Sequence, residues 1–340
     1  MRSRVPLVKG VMPVLIGAVA SVGFARSGFL SPFFLVPIAF AALRFGSRTA
    51  ALTALAASAA NASFSAASAF AHPSAMNGFL ADALYFAVVS LAFCWAAARD
   101  GWNGGSRRVR LAYRIIAAAV LATVATIPVI LLAKHDEGLV ALIRRQAEAF
   151  VAAYTDAAGA DVVQRSLIER SLNPEAIIQA MSSVYVRGAA VTGHAVFFFV
   201  SWRVAFMFAS IGNPSLMKRG AFARFRLEAF VVWPLIAAFA IVLAALVLKI
   251  VPVEIFGWNL LSLVLLLYLA QGYGIIQYHL AGPGVPRSIG FLVTLVVALA
   301  LLRPGINAFV AGGIAVLGIA ENWLPLRAPR KNEPPSTPEA

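Results

Sequence analysis

The chain has 340 residues, of which 61% are hydrophobic and 12% charged, with a formal net charge of +14 and a mean hydropathy of +0.85. A soluble domain carries about 25% charged residues, so these figures exclude an ordinary water-soluble fold. They also turn the positive charge away from nucleic acid, because the basic residues collect in alternate loops, the pattern that orients a protein in a membrane.

A spanning helix needs roughly 20 mainly apolar residues to cover a hydrocarbon core of about 30 Å. In chain order, stretches that reach or approach that length run Leu7–Phe24, Phe29–Leu43, Thr49–Phe70, Gly78–Ala98, Arg114–Ala133, Ala189–Ile211, Glu228–Leu248, Gly257–Leu280, Ser288–Leu302 and Gly305–Trp323. The expected fold class is therefore all-α, a polytopic transmembrane helical bundle of about ten spans. The second and ninth stretches are short, and the ninth ends at Arg303-Pro304-Gly305, so the last pair also reads as a hairpin that does not fully cross. The pattern divides the chain into an N-terminal membrane bundle over 1–134, a segment over 135–187, a C-terminal membrane bundle over 188–327 and a disordered tail over 328–340.

Orientation follows from the loops. Arg2, Arg4 and Lys9 precede the first span, Arg44 and Arg48 follow the second, and Arg99, Arg107, Arg108, Arg110 and Arg114 follow the fourth. Lys218, Arg219, Arg224 and Arg226 follow the sixth, Arg287 precedes the ninth, and Arg327, Arg330 and Lys331 follow the tenth. With ten crossings all of these share one side, and the opposite short loops carry only Arg26, Lys249 and Arg303. Both termini are expected in the cytoplasm and the chain in a bacterial inner membrane. The basic start, apolar run and Ala18-Val19-Ala20 also resemble a secretory signal; a first transmembrane helix is preferred because another apolar span follows at once. Cys94, the only cysteine, allows no disulfide and no thiolate metal site within one chain.

The segment from His135 to Arg187 breaks the apolar pattern and faces outward in this topology. Leu139, Ile143, Ala147, Phe150 and Tyr154 recur on one helical face, Gly159 ends that helix, and Asn173-Pro174-Glu175 reads as an N-cap, a first-turn proline and a first-turn acid. The segment reads as an amphipathic surface element, a lid or a docking surface.

Polar residues at membrane depth are the candidates for function, because they are expensive there. Arg203 in the sixth span can hold an anionic group of a ligand or snorkel toward the headgroups. Asp82 and Tyr85 face the same way near the outer end of the fourth span. In the eighth, Asn259, Ser262, Ala270, Tyr273 and Gln277 share a stripe that lines a cavity or pairs helices, while Gln271 points elsewhere. Ala54, Ser58, Asn61, Ser65 and Ser68 form a small-residue stripe that predicts close packing of the third span. Glu321 and Asn322 lie near the inner end of the tenth. The candidate ligand-binding set is Arg203, Asn259, Tyr273, Gln277, Gln271 and Glu321.

Enzyme signatures are absent. His72, His135, His194 and His279 have no metal-ligand spacing, and neither a phosphate-binding loop nor a nucleophile turn occurs. No catalytic residue, metal or cofactor is expected, and His194 and Ser201, about two turns apart on one helix, are too far apart for direct contact.

Phe225-Arg226-Leu227, Asn259, Gln271-Gly272 and the closing Gly318-Ile-Ala-Glu321-Asn-Trp323-Leu-Pro-Leu-Arg327 resemble the YybS-like family of uncharacterised bacterial multi-spanning membrane proteins. The chain departs from that pattern at Glu228, where the family has proline, and at Glu321, where aspartate is commoner. That family is distantly similar to the membrane-embedded substrate-binding subunits of energy-coupling-factor transporters. The resemblance implies capture of a small molecule in a helical bundle, with any ATPase supplied by a protein partner. Membrane lipids are the other expected partners. A non-transporting scaffold or assembly factor is the competing expectation.

Overall fold

In the computed structural model the described residues are 7–71, 76–97, 106–133, 135–157, 174–211, 222–282, 285–303 and 305–327, and every regular element among them is helical. The basic loops around 98–105 and 212–221, Gly159, Asn173 and the tail over 328–340 lie outside them.

The helices are α1 (Leu7–Arg26), α2 (Val36–Phe45), α3 (Ser47–Ala71), α4 (Met76–Ala97), α5 (Ser106–Ala125), α6 (Ile127–Ala133), α7 (Glu137–Ala157), α8 (Pro174–Val184), α9 (Ala190–Ser210), α10 (Val232–Leu248), α11 (Val251–Leu280), α12 (Arg287–Leu302) and α13 (Asn307–Ala320). Six segments are long and apolar enough to cross a membrane: Ser47–Phe70, Met76–Ala97, Leu111–Ala133, Pro174–Ser210, Ala229–Leu248 and Val251–Leu280. They overlap six of the stretches read from hydropathy, with Pro174–Ser210 beginning before Ala189 and so taking in α8 of the 135–187 segment. The other four correspond to shorter apolar helices, Val11–Arg26, Ser31–Phe45, Ser288–Leu301 and Asn307–Ala320.

The surface of these helices is what identifies their solvent. On α10 the inward residues include Ala238 and Ala245, while Trp233, Phe239, Leu243 and Val247 point outward, Val247 at 79% exposure. On α9 the small Ala190, Ala195, Ala205 and Ala209 are buried, and Val196, Met207 and Phe208 are exposed. Large apolar residues also fill the inside, among them Phe198, Trp202 and Phe206 on α9 and Leu235 on α10, so these helices are apolar on both faces, which fits lipid around them. The chain is a multi-pass membrane protein.

Two compact units can be described, one of 1–103 and 110–216, the other of 104–109 and 217–340. The division falls after α9, whereas hydropathy alone groups the sixth span with the C-terminal bundle. Packing accompanies that division: α9 lies on α2, and Phe34 stacks on Phe86 at a ring-centroid distance of 4.7 Å and meets Phe197 at 5.5 Å with the rings tilted by 45°. Within this unit α3 packs against α1, α2 and α4, using Ala50, Ala54, Ala57, Ser58, Asn61 and Ser65 as its buried face. The predicted small-residue stripe of the third span is thus the packing face.

The segment after α6 forms two helices, α7 and α8, that pack on each other and are joined by Arg144 to Glu175 at 2.7 Å. Asp136 precedes α7, and its Oδ2 accepts the Gly78 N–H at 2.7 Å, tying the start of α7 to α4. Ala147 of the predicted apolar face is buried and Ile143 is exposed. Between α8 and α9 the backbone passes through a wide turn over Tyr185–Ala189, where Gly188 has φ 138°, a conformation that side chains other than hydrogen rarely tolerate.

In the second unit α10 and α11 are an antiparallel hairpin. Lys249 closes α10 in the left-handed conformation (φ 56°, ψ 35°), and Pro252 in the first turn starts α11. The long α11 then packs most extensively on α13. That approach requires glycine at two facing positions. A Cβ on Gly272 would lie 1.8 Å from the Ile314 carbonyl oxygen, and one on Gly318 would lie 2.0 Å from the Tyr268 carbonyl oxygen.

Candidate functional site: an ion pair with open valences

In the first unit α1 and α3 run parallel, with α2 between them in sequence, and α4 runs antiparallel to both, so the end of α1, the later half of α3 and the beginning of α4 share a level. Arg26 closes α1, Asn61 and Ser65 come from the buried face of α3, and Asp82 comes from α4. At about 1.5 Å per residue, Asp82 lies about 9 Å into α4 and Asn61 about 15 Å from the end of α3, within the apolar span.

Arg26 Nη2 donates to Asp82 Oδ2 at 2.6 Å, to Ser65 Oγ at 2.7 Å and to Asn61 Oδ1 at 2.8 Å, with Nε also on Asn61 Oδ1 at 3.2 Å. Ser65 Oγ donates to Asp82 Oδ2 at 3.0 Å, and Asn61 Nδ2 approaches the same oxygen at 3.4 Å. Every bond of the carboxylate among the described residues therefore falls on Oδ2, leaving Oδ1 open. The guanidinium is likewise held through Nε and Nη2, leaving Nη1 open, while Phe64 covers one face with its ring centroid 4.5 Å from Cζ. The side chains of Arg26 and Asp82 are 28% and 47% exposed. Tyr85, one turn beyond Asp82, is also exposed, and its ring lies 6.1 Å from that of buried His194.

His194 adds a second open valence in this unit. Its Nδ1 is 3.0 Å from Thr123 Oγ1, whose own hydrogen goes to the Ala119 carbonyl at 2.8 Å. Assigning the ring proton to Nδ1 satisfies both groups. Nε2 then holds a buried lone pair with no hydrogen-bond partner among the described residues. Ser201 Oγ on the same helix is buried and equally unpaired.

The second unit contrasts with this. Gln271, 1% exposed, accepts the Leu227 N–H at 2.8 Å through Oε1 and donates Nε2 to the Gly318 carbonyl at 3.0 Å. Both oxygens of buried Glu321 are gripped by Arg327, Nε to Oε1 at 2.6 Å and Nη2 to Oε2, while Arg327 Nη1 donates to the Ala223 carbonyl at 2.7 Å. Asn322 donates to Tyr268 Oη at 3.2 Å and to the Ile319 carbonyl at 3.0 Å. Gln277 donates to Tyr273 Oη and to Thr294 Oγ1, both at 2.9 Å, and Asn259 donates to the Ile255 carbonyl one turn earlier at 2.8 Å. These groups pair helices and hold loop backbone.

Of the sequence candidates, Gln271 and Glu321 join one node with Gly318, and Tyr273 and Gln277 pair with each other. Asn259 caps a carbonyl of its own helix. Arg203 belongs to the first unit, is exposed, and lies with Cζ 5.8 Å from the Phe206 ring. The Arg26 network is absent from that set because Arg26 reads as a loop cation. The signal available was opposite charge at matching depth: Arg26 ending one span, Asp82 beginning an antiparallel one, and amides and hydroxyls striped between them.

No family model, curated protein or solved structure matches the chain. Of the short motifs that carry the YybS-like resemblance, Leu227, Gln271 and Gly318 are joined by hydrogen bonds and Glu321 is paired with Arg327, whereas Asn259 bonds within its own helix.

Proposed function

We propose that this membrane protein is a transporter-like small-molecule binding subunit of a bacterial inner membrane, with about ten crossings, both termini cytoplasmic and no chemistry of its own. The reading rests on one observation: the Arg26–Asp82 pair, with Asp82 about 9 Å into the apolar α4, is partly open, and Asp82 Oδ1 and Arg26 Nη1 have no hydrogen-bond partner among the described residues. Ionisable groups on apolar spans are costly and point to function, whereas in the buried Glu321–Arg327 pair both carboxylate oxygens and all three guanidinium nitrogens are engaged. The absence of a nucleotide-binding loop from the sequence assigns energisation, where needed, to a partner protein. The YybS-like resemblance agrees with this role at the level of fold.

The test is to purify the full chain in mild detergent, denature it, and identify released small molecules by mass spectrometry. A molecule released in near-stoichiometric amount from the wild type, and lost from a folded Asp82→Asn variant, is the expected result. A wild type that releases none, or a variant that retains it, contradicts the reading. A scaffold role draws support from α7 and α8, whose Leu142, Met181 and Val184 are exposed. Under that role Met181→Glu with Val184→Glu strips a co-purifying protein, and Asp82→Asn removes nothing.

A further inference from the structure

We propose that the Arg26–Asp82 pair recognises a zwitterion, a molecule carrying an ammonium and a carboxylate or phosphate a few bonds apart. The inference rests on the binding role proposed above and names its ligand class. Three donors, Arg26 Nη2, Ser65 Oγ and Asn61 Nδ2, converge on Oδ2 of Asp82, so Oδ1 is presented as a charged acceptor with no donor among the described residues. Arg26 is fixed at Nε and Nη2 by Asn61, Ser65 and Asp82, so Nη1 is presented as a charged donor with no acceptor among the described residues. Phe64 covers one face of the guanidinium, and its edge carries the N–H groups through which arginine pairs with carboxylate and phosphate.

Charge balance decides among ligands. The resident pair is neutral. A lone cation on Asp82 or a lone anion on Arg26 would leave a net charge at membrane depth, where uncompensated charge is expensive. A zwitterion engages both open atoms and keeps the site neutral. Two sources share this chemistry, a free α-amino acid and the ethanolamine phosphate headgroup of a lipid.

The experiment follows thermal unfolding of the full chain in detergent with each common L-amino acid, its amide, which lacks the anion, and its N-acetyl derivative, which lacks the cation. The same measurement is made in nanodiscs of phosphatidylethanolamine and of phosphatidylcholine, whose headgroup has no N–H to donate. The double variant Arg26→Gln with Asp82→Asn removes both charges while keeping similar shape and hydrogen bonding. The expected result is a rise of several degrees in Tm with at least one intact amino acid and none with its two derivatives, or a rise in ethanolamine over choline lipid. In either case the rise disappears in the double variant, and which arm responds identifies the source. The amino-acid series is read on the wild type, so it stands if the variant does not fold. Equal stabilisation by the amide or the N-acetyl derivative overturns the zwitterion and leaves the binding role intact. No response in any arm overturns the zwitterion; the binding role falls with it only if the wild type also releases no small molecule.

Discussion

The Arg26–Asp82 network of the first unit and the Gln271–Glu321 groups of the second engage their polar atoms in different ways. In the second, each polar group of the Gln271–Glu321 node meets a partner, and the partners are largely backbone: the Leu227 amide and the Gly318 and Ala223 carbonyls. In the first, Asp82 Oδ1, Arg26 Nη1 and His194 Nε2 have none among the described residues. A polar group that fastens backbone stabilises a fold, because removing it orphans two others. One held in place but left with free valence stabilises less and is available to a ligand. Side chains at similar cost to the chain thus separate into structural and binding roles by where their hydrogen bonds end.

Variants can break this comparison, and the largest effect is expected at the helix crossing. Gly272→Ala drives a methyl group into the Ile314 backbone, which cannot move aside as a side chain would. Overpacking against side chains that can shift typically costs about 1–3 kcal/mol; against fixed backbone this substitution should cost well above that range and prevent the crossing, seen as loss of the monodisperse peak on size exclusion. Arg327→Leu comes next, since it leaves the buried Glu321 carboxylate and the Ala223 carbonyl without their donor. Breaking one side of a buried pair costs about 3–5 kcal/mol, and a fall in Tm of that scale is expected. A variant as stable as the wild type would remove the distinction between the units. Gln277→Leu, which loses two hydrogen bonds between side chains, should lower stability by only about 1 kcal/mol, the usual scale for an interhelical bond in a membrane.

The fold was legible where physics acts along one helix. Spans announce themselves by length and hydropathy, and the packing face of α3 by small residues about four apart. What acts between helices was not. Gln271 lies off the stripe of Asn259, Tyr273 and Gln277, yet it is the buried polar residue that joins α11 to α13, because the glycines at 272 and 318 bring that side of the helix into contact. Arg26 looked like an orientation charge, since nothing local reveals that a terminal arginine folds back onto Asn61 and Asp82. The grouping of α9 with the first unit is accompanied by Phe34 meeting Phe197, a pairing far apart in sequence.

The most direct measurement compares Asp82→Asn with Gln277→Leu, purified in parallel, scoring Tm and retained small molecule in the same preparations. The account predicts that Asp82→Asn stays folded, with a Tm below that of the wild type because Arg26 has lost its counter-charge, and has lost the molecule, while Gln277→Leu is slightly less stable and retains it. Loss of the molecule from Gln277→Leu together with its retention by Asp82→Asn would place the ligand in the second unit and contradict the account.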